Sequence, residues 1–198
     1  DVYKRQTPDD AAMMMRSAVR AAYVEQRVVV FVEPIALYMT KDLHSANDGG
    51  WLAKYPDPER EIAVGEFGVY GDSDELAIIT YGNGTYLSRQ AAHELETQHK
   101  VKTKIIDLRW LAPLDAQAIA SAVDGIKAVL IVDECRRTGS QSEALVTLLV
   151  EHLKKLPRIK RVTAEDCFIP LGKAATVLLP SKEAIVDAAL ELTKAKRK

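Results

Sequence analysis

Two short runs, Leu76-Ala77-Ile78-Ile79-Thr80 and Ala128-Val129-Leu130-Ile131-Val132, carry almost no polar side chain at either parity. A strand alternates its side chains between the two faces of its sheet. A run that is apolar at every position therefore has to be covered on both sides, which is the condition of a parallel sheet between two helical layers. The segments between and after these runs supply the helices. Gly82-Asn83-Gly84 reads as a turn, and Thr85 to His99 as a helix with Leu87, Ala91, Ala92 and Leu95 on one side. Val101 to Leu108 is a second strand, and Asp115 opens a helix through Val123. Ser140 to Leu153 is a helix whose Ser140 and Glu143 have capping-box spacing. Arg161 to Ala164 is a fourth, shorter strand, and Ser181 caps a last helix that runs to about Thr193. Strands alternating with helices predict an α/β fold of three layers, α/β/α, on a mainly parallel sheet.

The chain before this regular part is less uniform. Thr7-Pro8-Asp9-Asp10 has the order of an N-cap, a proline at the first helical position and acids in the first turn. Met13, Met14, Ala18, Ala21 and Ala22 follow near helical spacing. Val28 to Val32 is again apolar at both parities and predicts a buried parallel strand ending at Glu33-Pro34. Thr40 to Pro58, with Asn47-Asp48-Gly49-Gly50 and Tyr55-Pro56-Asp57-Pro58, is read as an irregular connection. The expected division is a non-native leader over 1–6, the end of one α/β domain over 7–50, a linker over 51–72 and a complete domain over 73–198.

Composition removes several function classes. The 198 residues carry a formal net charge of -1, which provides no bulk attraction for nucleic acid or a membrane surface. Apolar residues make up 47% of the chain, but no run approaches the ~20 residues needed to span a bilayer. Cys135 and Cys167 are too few for a disulfide framework or zinc site. Each is expected to pack as a small apolar residue in a reducing compartment.

Ligands of open α/β sheets sit beyond the carboxyl ends of the strands, and four segments fall there. Tyr81-Gly82-Asn83-Gly84 offers glycines and a helix amino terminus to an anion, but lacks the full spacing of a phosphate loop. Asp107 and Arg109 are expected to form a local ion pair beside a packed Trp110. Asp133-Glu134-Cys135-Arg136-Arg137-Thr138-Gly139-Ser140 brings charges of both signs to another helix start, with Cys135 a possible nucleophile that lacks a histidine nearby in sequence. Glu165-Asp166-Cys167-Phe168-Ile169-Pro170 reads as a structural turn, although its paired acids could attract a metal. His44, His93, His99 and His152 have no metal-ligand spacing and read as solvated. No catalytic or cofactor-binding residue is assigned.

Taken in order, the stretches 28–38, 76–96, 104–119, 129–145 and 161–174 resemble the carboxy-terminal half of the beta subunit of thiamine-diphosphate-dependent 2-oxo acid dehydrogenases of the pyruvate and branched-chain types. The resemblance implies oxidative decarboxylation and acyl transfer to a lipoyl arm. It places the end of the pyrimidine-binding domain at 7–50 and a transketolase-like carboxy-terminal domain at 73–198. Thiamine diphosphate and magnesium would be held outside this segment. The implied partners are an alpha subunit or fused alpha half, a second beta subunit and a lipoyl acyltransferase core. The implied location is cytoplasmic, or the mitochondrial matrix in a eukaryote. A family potassium site maps onto Ala22, Glu25 and Arg27, where the arginine is unfavourable to a cation. A basic docking domain of the acyltransferase would be repelled by Lys194, Lys196, Arg197 and Lys198. Two other readings remain open at this point: the terminal domain of transketolase or deoxyxylulose-phosphate synthase, and a non-catalytic α/β assembly module.

Overall fold

A computed structural model describes residues 2–4 and 8–194. Its main sheet joins β3 (Gly68–Tyr70), β4 (Leu76–Thr80), β5 (Thr103–Asp107), β7 (Ala128–Arg136) and β8 (Arg158–Ala164). The spatial order is β3-β5-β4-β7-β8, and only β3 runs antiparallel to its neighbour. Both parities of the central strands are buried, as the sequence required. Leu76, Ile78, Leu130 and Val132 pack against α2 (Asn83–Glu94) and α5 (Lys182–Thr193). Ala77, Ile79, Val129 and Ile131 pack against α3 (Ala116–Val123) and α4 (Gln141–His152). The result is the expected three-layer α/β/α arrangement.

Helix boundaries follow local chemistry. Asp115 accepts a hydrogen bond from the Ala118 amide at 2.9 Å, and Ser181 accepts from Ala184 at 3.1 Å. The capping box of α4 is altered. Glu143 reaches back to the Gly139 amide at 2.9 Å, and the Ser140 hydroxyl contacts Ser142 rather than capping the helix. α2 begins earlier than expected because Gly82, at φ 58°, reverses the chain directly after the strand. Gly84 then brings the helix against the sheet. A Cβ there would fall well inside contact distance of Thr80 Oγ1.

The amino-terminal segment departs more from expectation. α1 (Pro8–Tyr23) starts at the proline with Asp9 and Asp10 in its first turn, while Thr7, its expected cap, lies outside the described residues. β1 (Val2–Lys4) lies between β2 (Val30–Val32) and β6 (Trp110–Ala112), so residues 2–4 of the segment read as a leader pair with the fold. The expected buried strand at Val28–Val32 is shorter and only partly buried. Val28 is 85% exposed and Val30 is 49% exposed, because this small sheet lacks the second covering layer that the main sheet has. α1 instead packs Met13, Met14 and Ala18 around Trp110 and Ile62.

The irregular connection is docked rather than loose. Asp48 accepts hydrogen bonds from the amides of Leu43, His44, Ser45 and Gly50, while Asp42 accepts from Asn47 and Gly49. Tyr86 and Gln90 of α2 donate to the carbonyls of Asp42 and Leu43, and Trp51 is buried edge-on against Tyr86. Farther along, Arg16 of α1 donates to the carbonyls of Asp57 and Arg60, and Ser17 donates to Ile62 at 2.6 Å. Among the described residues no helix is long and apolar enough to cross a membrane.

Two predictions follow from the α2–sheet contact. Gly84→Ala is expected to destabilise the fold by about 2 kcal/mol in urea unfolding, through overpacking. Adding Thr80→Ala removes the struck oxygen and is expected to recover at least half of that loss. The second concerns Asp107, which is fully buried, accepts from Thr85 Oγ1 at 2.8 Å and leaves Oδ2 without a protein partner. Burial pushes its carboxyl up to about 8, and Asp10 adds to the rise, while the Thr85 hydrogen bond and the Arg109 and Arg89 charges oppose it. A raised carboxyl favours the protonated folded state. Its stabilising effect is complete below the unfolded value of 3.8 and is lost progressively up to about pH 8, with a slope of at most ~1.4 kcal/mol per pH unit. Asp107→Asn mimics the protonated acid. Its melting temperature relative to the parent chain is expected to rise from pH 5 to pH 8 and then level off; a constant difference would refute the assignment.

Candidate functional site

In the main sheet the chain turns from one side of β4 to the other between β5 and β7, so the ends of β4 and β7 form the topological switch point. Two of the predicted polar segments meet there. Tyr81 leaves β4 and donates its hydroxyl hydrogen to Asp133 Oδ1 in a short hydrogen bond. The same oxygen accepts from the Cys135 amide at 2.9 Å, and Asp133 Oδ2 accepts from the Ser142 amide at 2.8 Å. Burial by itself would raise the Asp133 carboxyl. The hydrogen bonds from Tyr81, Cys135 and Ser142 outweigh it and hold the group below the usual carboxylate range. Burial, together with the Asp133 charge, pushes the Tyr81 phenol far above its ordinary value.

Glu134 completes the closure. Its Oε1 accepts from the Asn83 amide at 2.7 Å, at the first residue of α2. Both helix amino termini that the sequence offered to an anion are therefore occupied by carboxylates from β7, with Glu134 at α2 and Asp133 at α4. The positive end of each helix is neutralised within the chain. The sequence did contain the signal, since both acids sit at the carboxyl end of a buried strand, but not the direction in which each would turn.

A cavity of about 540 Å³ opens beside this network. Tyr81, Leu111, Cys135, Gln141, Cys167 and Ile169 contribute to its lining. Both cysteines are exposed, which corrects the expectation that each packs as a small apolar residue. The fourth predicted segment reaches the site because Asp166 accepts from the Thr138 amide at 2.8 Å and the Thr138 hydroxyl at 2.6 Å. Asp166 is thus engaged in tying two loops together, and no cluster of three or more metal-ligating acids, histidines or cysteines exists among the described residues. None of the histidines lines the cavity. His44 and His93 instead stack on one another, with centroids 4.4 Å apart, and burial together with His93 lowers the His44 pKa.

Arg109 does not pair with Asp107 as expected. Its Nε and Nη2 each lie 2.9 Å from the Asp10 carboxylate, and Nη1 lies 3.3 Å from Glu66. The bidentate fit to an acid buried in α1 outcompetes its neighbour two residues away, which is turned inward to Thr85. Trp110 is buried within the chain against α1. In the turn after α1, Arg27 donates its amide to the Ala21 carbonyl and Gln26 adopts φ 56°. The Glu25 carboxylate is flanked by Arg20 at 3.4 Å and Arg27 at 3.6 Å. Ala22, Glu25 and Arg27 thus share one turn whose acid is already balanced by guanidinium groups.

Known proteins match this architecture. The profile of the transketolase C-terminal domain covers residues 65–185. The pyruvate dehydrogenase E1 component subunit beta of Staphylococcus aureus (strain Mu50 / ATCC 700699) is 30% identical over 186 residues, 93% of this chain and 53% of that protein. Its counterpart in Bacillus subtilis (strain 168) is 28% identical over 92% of this chain and 52% of its own length. This chain therefore spans about half the length of the curated relatives it matches. A split-gene transketolase solved as an inactive beta4 tetramer superposes with a TM-score of 0.67, at 21% identity, over 99% of this chain and 58% of its own. This likeness supports the fold. With the family profile spanning more than half of its residues, the chain belongs to the transketolase C-terminal domain family.

Proposed function

We propose that this chain is the carboxy-terminal half of the beta portion of a 2-oxo acid dehydrogenase, of the pyruvate or branched-chain type, and that it contributes assembly and positioning. The observation that carries the reading is the alignment to pyruvate dehydrogenase E1 beta subunits, which extends over 93% of the chain and so includes the part outside the family profile. The division proposed within it is the end of the pyrimidine-binding domain at 7–50, a linker at 51–72 and the terminal domain from 73.

Thiamine diphosphate, when bound in such an enzyme, supplies the electron sink for decarboxylation. The residues present here do not fit its diphosphate. The helix amino termini at the switch point are filled by Glu134 and Asp133. At the turn of Ala22, Glu25 and Arg27 a potassium ion would be held by backbone oxygens, since two guanidinium groups already flank the Glu25 carboxylate. No step of the reaction is therefore assigned to these residues.

What the segment does offer is apolar surface. α1, the turn after it and β2 with its following turn expose Val19, Tyr23, Val24, Val28, Ile35 and Met39. Such a surface suits burial against other parts of the enzyme, which on this reading include the rest of the pyrimidine-binding domain as well as the alpha part or a second beta copy. The transketolase reading is favoured by the profile and the superposition alone, and is the second reading.

Calorimetric titration of the chain with thiamine diphosphate and magnesium is expected to show no binding, and micromolar affinity would overturn the positioning role. The complete coding frame, coexpressed with its alpha part, is expected to oxidise a 2-oxo acid with an artificial electron acceptor. Turnover of ketose phosphates in its place would establish the transketolase reading.

A further inference from the structure

Cys135 and Cys167 stand 32 positions apart and belong to different loops, yet both thiols open on the same 540 Å³ cavity at the strand ends. The fold holds them together at two points. β7 and β8 are parallel neighbours, with Arg136 paired to Ala164, the residue after Cys135 and the residue three before Cys167. Just beyond, Thr138 gives two hydrogen bonds to Asp166, the residue preceding Cys167. Both contacts follow Cys135 and precede Cys167, so they hold the two loops side by side next to the thiols. Cys135 is on the more rigid side. It sits at the end of a strand, its amide is bound to Asp133, and its sulfur lies 3.6 Å from the Tyr81 hydroxyl. Cys167 is on the adaptable side, in a stretch without helix or strand from 165 to 171. It also lines a second opening, of about 600 Å³, with Arg136, Thr138, Asp166 and Phe168, so it can be approached from two directions.

We propose that Cys135 and Cys167 form a thiol pair that low-molecular-weight disulfides oxidise to an intrachain disulfide, drawing the 165–171 loop across the cavity. The Cys167 thiolate attacks one sulfur of the small disulfide, forming a mixed disulfide and releasing one small thiol. The Cys135 thiolate then attacks the Cys167 sulfur, the protein disulfide forms and the second small thiol leaves. The two protons of the protein thiols end on the two released thiols. The protein loses two electrons and the small disulfide gains them. Disulfide geometry requires the Cα atoms to come within about 7 Å, and closure would move the part of the loop beyond the Asp166 anchor, which lies in no helix or strand.

The test uses glutathione disulfide as the probe, on the folded chain at low protein concentration, with remaining thiols then blocked by maleimide. Intact mass and peptide mapping are expected to show both thiols lost, no retained glutathione and a Cys135–Cys167 cross-linked peptide. Cys135→Ser is expected to stop at a stable glutathione adduct on Cys167, because the resolving thiol is gone. Near-ultraviolet circular dichroism of the variant, matching the parent, checks that the fold is kept. Stable glutathione adducts on the parent chain, disulfide-linked dimers in place of the internal bridge, or two unreacted thiols would each overturn the proposal.

Discussion

The Asp133 carboxylate is the interaction on which the carboxyl edge of the sheet depends. A buried carboxylate is costly unless its charge is met by donors. Here the donors come from three directions: the Tyr81 hydroxyl after β4, the Cys135 amide within β7 itself and the Ser142 amide in the first turn of α4. Satisfying one charge therefore fixes the separation of two strands and the start of a helix. Glu134, the next residue, faces the other way and fixes α2 through Asn83. The alternation of a strand is what lets adjacent acids serve two different helices. This arrangement also decides the chemistry of the edge. The amides that in other α/β proteins meet a phosphate are here taken by side chains of the same chain.

A second buried charge joins the amino-terminal segment to this frame. Arg109 follows β5 and grips Asp10 of α1 in a bidentate pair. Room for the guanidinium comes from Gly68 on β3, where a Cβ would lie 3.2 Å from Arg109 Nη2. The connection between the two parts is held at one end by Arg16 and Ser17 and at the other by Tyr86, Gln90 and Trp51. The segment that looks unstructured by periodicity is ordered by side chains capturing its carbonyls and by Asp42 and Asp48 capturing its amides.

How much of this could be read from sequence depends on how local each determinant is. The strands at Leu76 and Ala128 were legible because burial on both faces leaves no polar position, and the caps at Asp115 and Ser181 because a cap acts within one turn. Val28 to Val32 misleads for the same reason that the others inform. An apolar run states what a strand could bury, whereas actual burial depends on a covering layer supplied by distant residues. The pairing of Arg109 was not legible, because its nearest acid in sequence, Asp107, is turned into the α2 contact and its actual partner is 99 positions away. That Cys135 and Cys167 line one cavity likewise rests on β8 lying beside β7, a matter of sheet order.

The distribution of unmet interactions argues for where this chain contributes. At the switch point, where a ligand would be expected from topology, the carboxylates and helix termini already satisfy one another. A charged ligand would have to displace these bonds before making its own, so its net gain there is small. On α1 and β2 the balance is reversed. Valine, isoleucine and methionine side chains face water and have no polar group to desolvate, and each Å² of apolar surface removed from water contributes about 25 cal/mol. The free energy still available at α1 and β2 therefore lies in covering an apolar surface, and that is the physical basis of the proposed positioning role.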